Sequence, residues 1–497
     1  MPIDSFPQIL ARFARERAEE AALVAGEERL SWRELDEASS RLAVEFTERG
    51  VQPQSLVALA LPNGFGFYVC AFAAWKIAAT PMPVSYEMPD RELSEVLALA
   101  APSLAIGSAA KPAIGITEYR ALSQAAAGRT AGRPLPEAPV QWKAITSGGS
   151  TGRPKVIVSL GAAECDPSLG VPSFLLRPNA RQLLLGPVYH NGPFVSSIRG
   201  LMSGGTIHIA GRFNAATALD DINRLGINWM QIVPTMMARM CRADPDQSHQ
   251  MPSLDGILHL GAQCPEWVKR EWIRWIGPDR VIELYGSTEA QATTIITGTE
   301  WLERPGSVGK PGRHPLDANV AGNPDSPEIV IRDSSGELAP SGETGEIWCR
   351  VRPGQRHYRY IGAQPTRSGE WESVGDLGYM DEDGYLYIRD RRVDLIVSGG
   401  VNVYPAEVEA AILEHPRVND CVVVGVPDPD LGRRVHAIIE PRALLTVDDL
   451  EPFVLDRLAR AKVPRSWEFV TELPRNAAGK IRRSAIAATY LDAGRAS

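Results

Sequence analysis

The sequence contains no CxxC pair, and its six cysteines (Cys70, Cys165, Cys241, Cys264, Cys349 and Cys421) lie scattered along the chain. Such spacing argues against a zinc ribbon or a disulfide frame and fits the reduced thiols of a cytoplasmic protein. No apolar run approaches the roughly 18 residues that a membrane-spanning helix needs. The opening stretch, MPIDSFPQILARFARERAEE, mixes acids and bases with its apolar residues and has no signal-peptide core, so secretion is not expected. Positive charge is also short: the net charge is −8 and the pI about 5.7. A nucleic-acid or anionic-membrane partner, which needs concentrated positive potential, is therefore not expected. Low-complexity segments and repeats of solenoid period are missing too.

What is present is a chain of 497 residues, too long for one hydrophobic core, so at least two domains are expected. With 44% hydrophobic and 23% charged residues it has the balance of a globular protein rather than a disordered one. In SWRELDEASSRLAVEFTERG, Ser31 and Glu34 have capping-box spacing, Leu35, Ala38, Leu42 and Phe46 share a face, and Gly50 supplies the stop. That helix is followed by SLVALALP (55–62), a continuous apolar run of the kind buried on both faces of a sheet. Similar runs occur at 181–188, 206–211, 256–262 and 280–286, separated by segments of helical period. The alternation predicts an α/β fold with a large N-terminal domain of stacked, mostly parallel sheets covered by helices. Near residue 390 charge concentrates in IRDRRVD and a glycine pair follows in SGGVNVYP, so a boundary is placed there, with domains 1–390 and 391–497. The second part alternates AEVEAAIL, CVVVGV, RVHAIIEP and the Thr446-capped DDLEPFVLDRLARA, which predicts a small α+β domain.

Four segments carry chemistry. TSGGSTGRPK (Thr146 to Lys155) is a glycine- and hydroxyl-rich loop whose backbone N–H groups can surround phosphate oxygens while its lysine neutralises charge. It is not the Walker pattern, which requires GxxxxGK followed by Ser or Thr. YGSTE (Tyr285 to Glu289) follows a predicted strand and sets an aromatic face, a hydroxyl and a carboxylate within five residues. A carboxylate near bound phosphates suits a magnesium ion. Asp376, an isolated acid among small residues, can accept both hydroxyls of a ribose, whereas Asp381 and Asp383 have the look of hairpin residues. Finally, LPRNAAGKIRR places Lys480 after Gly479 in a basic loop, which on its own reads as a solvated tail.

In this order and at these distances the segments resemble the adenylate-forming superfamily of acyl-CoA synthetases, luciferases and peptide-synthetase adenylation domains. The resemblance runs from SWRELDEASSRLA to GKIRR, over essentially the whole chain. It implies ATP, Mg²⁺ and coenzyme A as cofactors, and a small C-terminal domain that moves as a lid. It further implies that Ser147, Gly148, Gly149, Ser150, Thr151, Gly152 and Lys155 close over the triphosphate. Tyr285 would stack on adenine, with the backbone of Gly261, Ala262 and Gln263 opposite and Glu283, Leu284, Gly286 and Ser287 completing the nucleotide site. Thr288 would touch the α-phosphate, Glu289 would hold the metal, Asp376 and Arg391 would bind ribose, and Lys480 would act in the first half-reaction. Ser398, Gly399 and Gly400 would face the acceptor in the second. Two positions depart from the family pattern: Val393 stands at a hinge commonly Asp or Lys, and Gly148 where Ser or Thr is frequent.

In PVYHNGPF the amino-acid-activating relatives place an Asp for the substrate's ammonium, so Tyr189, His190 and Asn191 disfavour a free α-amino acid. His190 resembles the histidine that acyl- and aryl-CoA ligases keep beside the carboxylate. Tyr189, Asn191, Phe194, Met236, Gln263 and Gly286 are expected to line the acyl pocket, whose mixed character suits an aromatic or bulky acid. The expected activity is ATP-dependent conversion of a carboxylic acid to acyl-AMP and then to an acyl-CoA. The alternatives are a carrier-protein thiol, an amine or nitrite as acceptor, or a binding protein that kept the fold and lost catalysis. A homodimer is compatible with either reading.

Overall fold

A computed structural model describes residues 3–130, 139–148, 154–311, 328–351, 356–399, 401–476, 481 and 483–493. Among these residues no helix is long and apolar enough to cross a membrane. The expected capping box forms: Ser31 Oγ accepts from the Glu34 N–H, Glu34 accepts from the Ser31 N–H, and the helix Trp32–Glu48 follows. The apolar runs become the strands Leu56–Ala60, Arg181–Leu184, Thr206–Ile209, Gly256–Leu260 and Val281–Gly286.

Two parallel sheets dominate the N-terminal part. One runs Ala21–Ala25, Thr206–Ile209, Arg181–Leu184, Trp229–Ile232, Gly256–Leu260, Val281–Gly286. The other runs Thr80–Pro83, Leu56–Ala60, Leu104–Gly107, Ile116–Glu118. Between them sit the helices Phe65–Lys76 and Asn191–Met202, which share one core with Val57 and Leu59 of one sheet and Leu184 and Ile207 of the other. A helix walled by sheet on both sides buries its whole circumference, which is why FGFYVCAFAAWK is apolar all round rather than amphipathic.

The parallel character stops at Val281–Gly286. The next strand, Thr293–Thr297, turns back antiparallel, and Ser307–Pro311, Leu386–Arg391, Trp371–Met380, Gly345–Arg350 and Ile329–Arg332 extend the sheet in the same antiparallel manner. A separate antiparallel trio pairs Ala144–Gly148, Pro154–Ser159 and Tyr358–Ile361. Beyond Arg391, Val418–Asp428 and Gly432–Pro441 form a long hairpin, joined in parallel by Ser466–Phe469 and packed on Pro405–Leu413 and Val447–Leu455 around a core of their own. The last of these helices stops at Leu455, shorter than the sequence pattern suggested, and Pro452 lies inside it.

Candidate active site

A cleft of about 1490 Å³ opens at the carboxyl ends of the first parallel sheet. Four adjacent strands deliver their following turns to it: Gly186–Asn191, Val233–Met236, Gly261 and Gly286–Glu289. Open parallel sheets characteristically bind ligands in this crevice, because the strands point their ends and the next helices their N-termini at one place. The turn after Gly256–Leu260 needs a left-handed residue, and Gly261 supplies it at φ +94°. Directly after Glu289, Ala290 is held at φ +56°, a strained setting for a residue with a side chain.

On one flank Glu289 is the hub. Its carboxylate receives the Lys155 ammonium at 3.0 Å and the Tyr360 hydroxyl at 2.5 Å, and Lys155 lies over the Tyr360 ring. Burial pushes the Glu289 carboxyl up, but Lys155 and Tyr360 together outweigh it and hold it below the usual glutamate value. An ionised, oriented carboxylate beside Lys155, which lies in the strand Pro154–Ser159 and not in a loop as the sequence pattern suggests, fits a magnesium ion that takes most of its other ligands from phosphates and water. Arg391, which lines the cleft, stands 3.9 Å from the Asp376 carboxylate, to which the Tyr285 hydroxyl donates at 2.7 Å; Tyr285 and Asp376 themselves are set back from the lining. Burial raises the Asp376 carboxyl, with Tyr285 and Arg391 opposing it in part. Burial, then the Asp376 charge, raises the Tyr285 hydroxyl. A tyrosine ring and an oriented acid side by side are what a nucleoside's base and ribose need.

Another part of the cleft is walled by Tyr189, His190, Asn191, Met236, Gln231 and Trp142, among which Tyr189, Asn191 and Met236 are expected acyl-pocket residues. Tyr189 donates to Glu87 at 3.2 Å. Lys143, which the sequence reading passed over, donates to Asn191 Oδ1 at 2.6 Å from within this wall. Its signal was legible: in QWKAITSGG it is the lone charge in the run that feeds the phosphate loop. Tyr360 had no such signal, because its place beside Glu289 depends on the pairing of Tyr358–Ile361 with Pro154–Ser159 across some two hundred residues.

Three expected site residues are placed elsewhere. Phe194 is fully buried in the core between the sheets, stacked on Trp142 at 5.8 Å, so it supports the pocket wall from behind instead of lining it. The Glu283 side chain lies on the far face of its strand and accepts from the buried Lys269, since side chains alternate along a strand and Leu284 takes the cleft side. Only the Glu283 backbone can serve a nucleotide. Gln263 is exposed, and of the 261–263 turn only Gly261 lines the cleft. Gly286, Ser287, Thr288 and Glu289 do line it, as do Met236 and Arg391. Ser398 is buried in a hairpin with Val401, and Gly399 donates to Leu431 O at 3.0 Å. Ser147 and Gly148 end the strand Ala144–Gly148, while Gly149, Ser150, Thr151, Gly152, Gly400 and Lys480 lie outside the described residues.

Comparison with known proteins agrees with this layout. Residues 10–355 match the AMP-binding enzyme family and residues 407–480 its C-terminal domain. The chain is 34% identical to 2-succinylbenzoate–CoA ligase of Bacillus licheniformis over 67% of each protein. It is 29% identical to feruloyl-CoA synthase of an Amycolatopsis species over 96% of this chain and 97% of that one. The solved o-succinylbenzoate CoA synthetase of Bacillus subtilis, in complex with its acyl-adenylate intermediate, superposes with a TM-score of 0.80 over 98% of each chain at 24% identity, which establishes the shared fold. This α/β chain, with a large sheet domain and a small C-terminal one, belongs to the AMP-binding enzyme family.

Proposed function

We propose that this enzyme uses Mg-ATP to convert a carboxylic acid to acyl-AMP and then transfers the acyl group to coenzyme A. The observation that carries the reading is a pair of polar groups that each reach the one cleft through a lining residue: Glu289, which Lys155 and Tyr360 hold, and Arg391, which stands 3.9 Å from the Asp376 carboxylate that Tyr285 bonds. A carboxylate oxygen attacks the α-phosphorus and pyrophosphate departs; a thiol sulfur then attacks the acyl carbon, AMP leaves with the electron pair, and the thiol proton passes to solvent. The first step brings two anions together, so it depends on fixed positive charge rather than on a general base. Glu289 would hold Mg²⁺, which neutralises phosphate charge when bound. Lys155 and Lys480 would offset the rest, Thr288 would contact the α-phosphate, and His190 would lie beside the reacting carboxylate. The 261 turn would flank the adenine.

Residues 391–497 would then turn as a unit, removing Lys480 and presenting Ser398 to Gly400 to the acceptor. Tyr189, Met236, Asn191 and Gln231 favour an aromatic or otherwise bulky acid over a long alkyl chain. The relatives named above act on acids through coenzyme A, which supports the thiol acceptor. Six free cysteines suit a cytoplasmic enzyme. One observation favours a carrier-protein thiol, an amine or nitrite instead: the exposed Val393 stands where relatives commonly carry a charged hinge residue, and the adjoining Asp394 is already paired with Arg483 at 3.0 Å. Incubation with ATP, an acid panel and coenzyme A, followed by mass spectrometry, tests the assignment. AMP with an acyl-CoA is the expected outcome; AMP without any thioester would transfer the assignment to another acceptor.

A further inference from the structure

Three lysines are buried among the described residues, at 2% exposure for Lys76, 6% for Lys143 and 0% for Lys269. Lys76 meets the Asp36 carboxylate at 2.6 Å and Lys269 meets Glu283. A buried ammonium needs such a partner, because its lost hydration is otherwise uncompensated. Lys143 breaks the rule. Its Nζ donates to the neutral amide oxygen of Asn191 and stands 5.2 Å from the Trp142 ring centroid. No described carboxylate lies within ion-pair distance of it, and the acid whose charge bears on it, Glu289, is already engaged by Lys155 and Tyr360. Lys143 is also the one buried lysine of the three that lines the cleft.

Its surroundings deepen the deficit of negative charge. Asn191 is the first residue of the twelve-residue helix Asn191–Met202, and the N-cap, His190, makes no side-chain capping bond. A helix N-terminus carries partial positive charge, so a cation placed there is unfavourable unless an anion sits between them. Beside it, the buried Gln231 donates to Ile232 O at 3.1 Å and lines the same wall. Ammonium, helix N-terminus and amides thus converge on this wall of the cleft.

Resting on the adenylation assignment above, we propose that Lys143 and the N-terminus of the 191–202 helix form a subsite for a second anionic group of the acid substrate, a carboxylate or sulfonate distinct from the carboxyl that is adenylated. The reacting carboxyl is the poorer occupant. An ammonium bonded to the attacking oxygen would stabilise the ground state and lower its nucleophilicity, which a cation on a remote group does not. The charge therefore selects the substrate and leaves the reacting atoms to the phosphate side.

The test is acid-dependent exchange of labelled pyrophosphate into ATP with pairs of probes, each a dicarboxylic acid (phthalate, homophthalate, glutarate, cyclohexane-1,2-dicarboxylate) and its monomethyl ester. The wild-type enzyme is expected to prefer the diacid of its best pair by at least about tenfold in kcat/KM, the scale of one charge-assisted hydrogen bond. Lys143→Met should bring that ratio towards one, and Lys143→Arg should keep part of it. A ratio that is the same in wild type and Lys143→Met, with both probes slowed together, would overturn the subsite and assign Lys143 to the reacting carboxyl or the nucleotide. Exchange with the esters alone also overturns it while the adenylation assignment stands. Silence with both members of every pair would bring down the assignment itself, and the subsite with it.

Discussion

Replacing Lys143 by methionine is expected to stabilise the protein at neutral pH, although it removes a hydrogen bond. Burial draws the Lys143 ammonium from an ordinary 10.5 down to about 8, with Glu289 opposing the fall in part. A folded value lowered by that amount corresponds to about 3 kcal/mol of stability withheld from the protein while the lysine is charged in both states. Met fills much the same volume without charge. Losing the bond to Asn191 costs about 1 kcal/mol, so the variant should gain about 2 kcal/mol at pH 7. The sign with pH follows from proton counting. Between pH 8 and 10.5 the unfolded lysine is protonated and the folded one is not, so wild-type stability rises relative to the variant by about 1.4 kcal/mol per pH unit. The advantage of Met should vanish near pH 9.5, at about the point where that slope has consumed it. Urea unfolding followed by tryptophan fluorescence at pH 7.0, 8.5 and 9.5 reads this, compared at equal slopes in denaturant. A stability difference that does not change with pH would refute the reasoning, because it would mean that Lys143 is not charged and unpaired in the fold.

Further expectations concern the two half-reactions. Lys480→Ala should abolish most adenylate formation yet leave thioester formation from preformed acyl-AMP comparatively intact; equal loss in both would end that division of labour. Glu289→Gln should lower pyrophosphate exchange by about a hundredfold or more and raise the Mg²⁺ concentration for half-maximal rate, as removal of a charged transition-state contact does; an unchanged Mg²⁺ requirement would place the metal elsewhere. Val393→Pro should slow only thioester formation, measured in single turnover from acyl-AMP, and unchanged kinetics would mean the chain does not pivot there.

Much of the fold was legible in the sequence because buried parallel strands write themselves as continuous apolar runs, and each run from Leu56 to Gly286 named above became a strand. The antiparallel continuation beyond Thr293 was less visible, since its strands are half-buried and their alternation, as in Gly345–Arg350, is easily lost among turns. Within the site, YGSTE and Asp376 were each legible as local motifs, whereas the hydrogen bond that joins Tyr285 to Asp376 across the sheet was not. Glu283 was not placed by its motif, although the two-residue period of its strand already assigned it to the face opposite Leu284. Phe194, expected in the pocket wall, is buried behind it, because an aromatic ring gains more from stacking on Trp142 in the core than from a wet wall. Tyr360 depends on long-range strand register, which no local pattern encodes.

The most direct test of the central claim uses an acid labelled with ¹⁸O in its carboxylate, turned over with ATP and coenzyme A, with the isotope located in the phosphorus products. If the carboxylate attacks the α-phosphorus, AMP must carry one ¹⁸O and pyrophosphate none. Label in inorganic phosphate, or AMP without label, would contradict an acyl-adenylate and the whole assignment of this cleft.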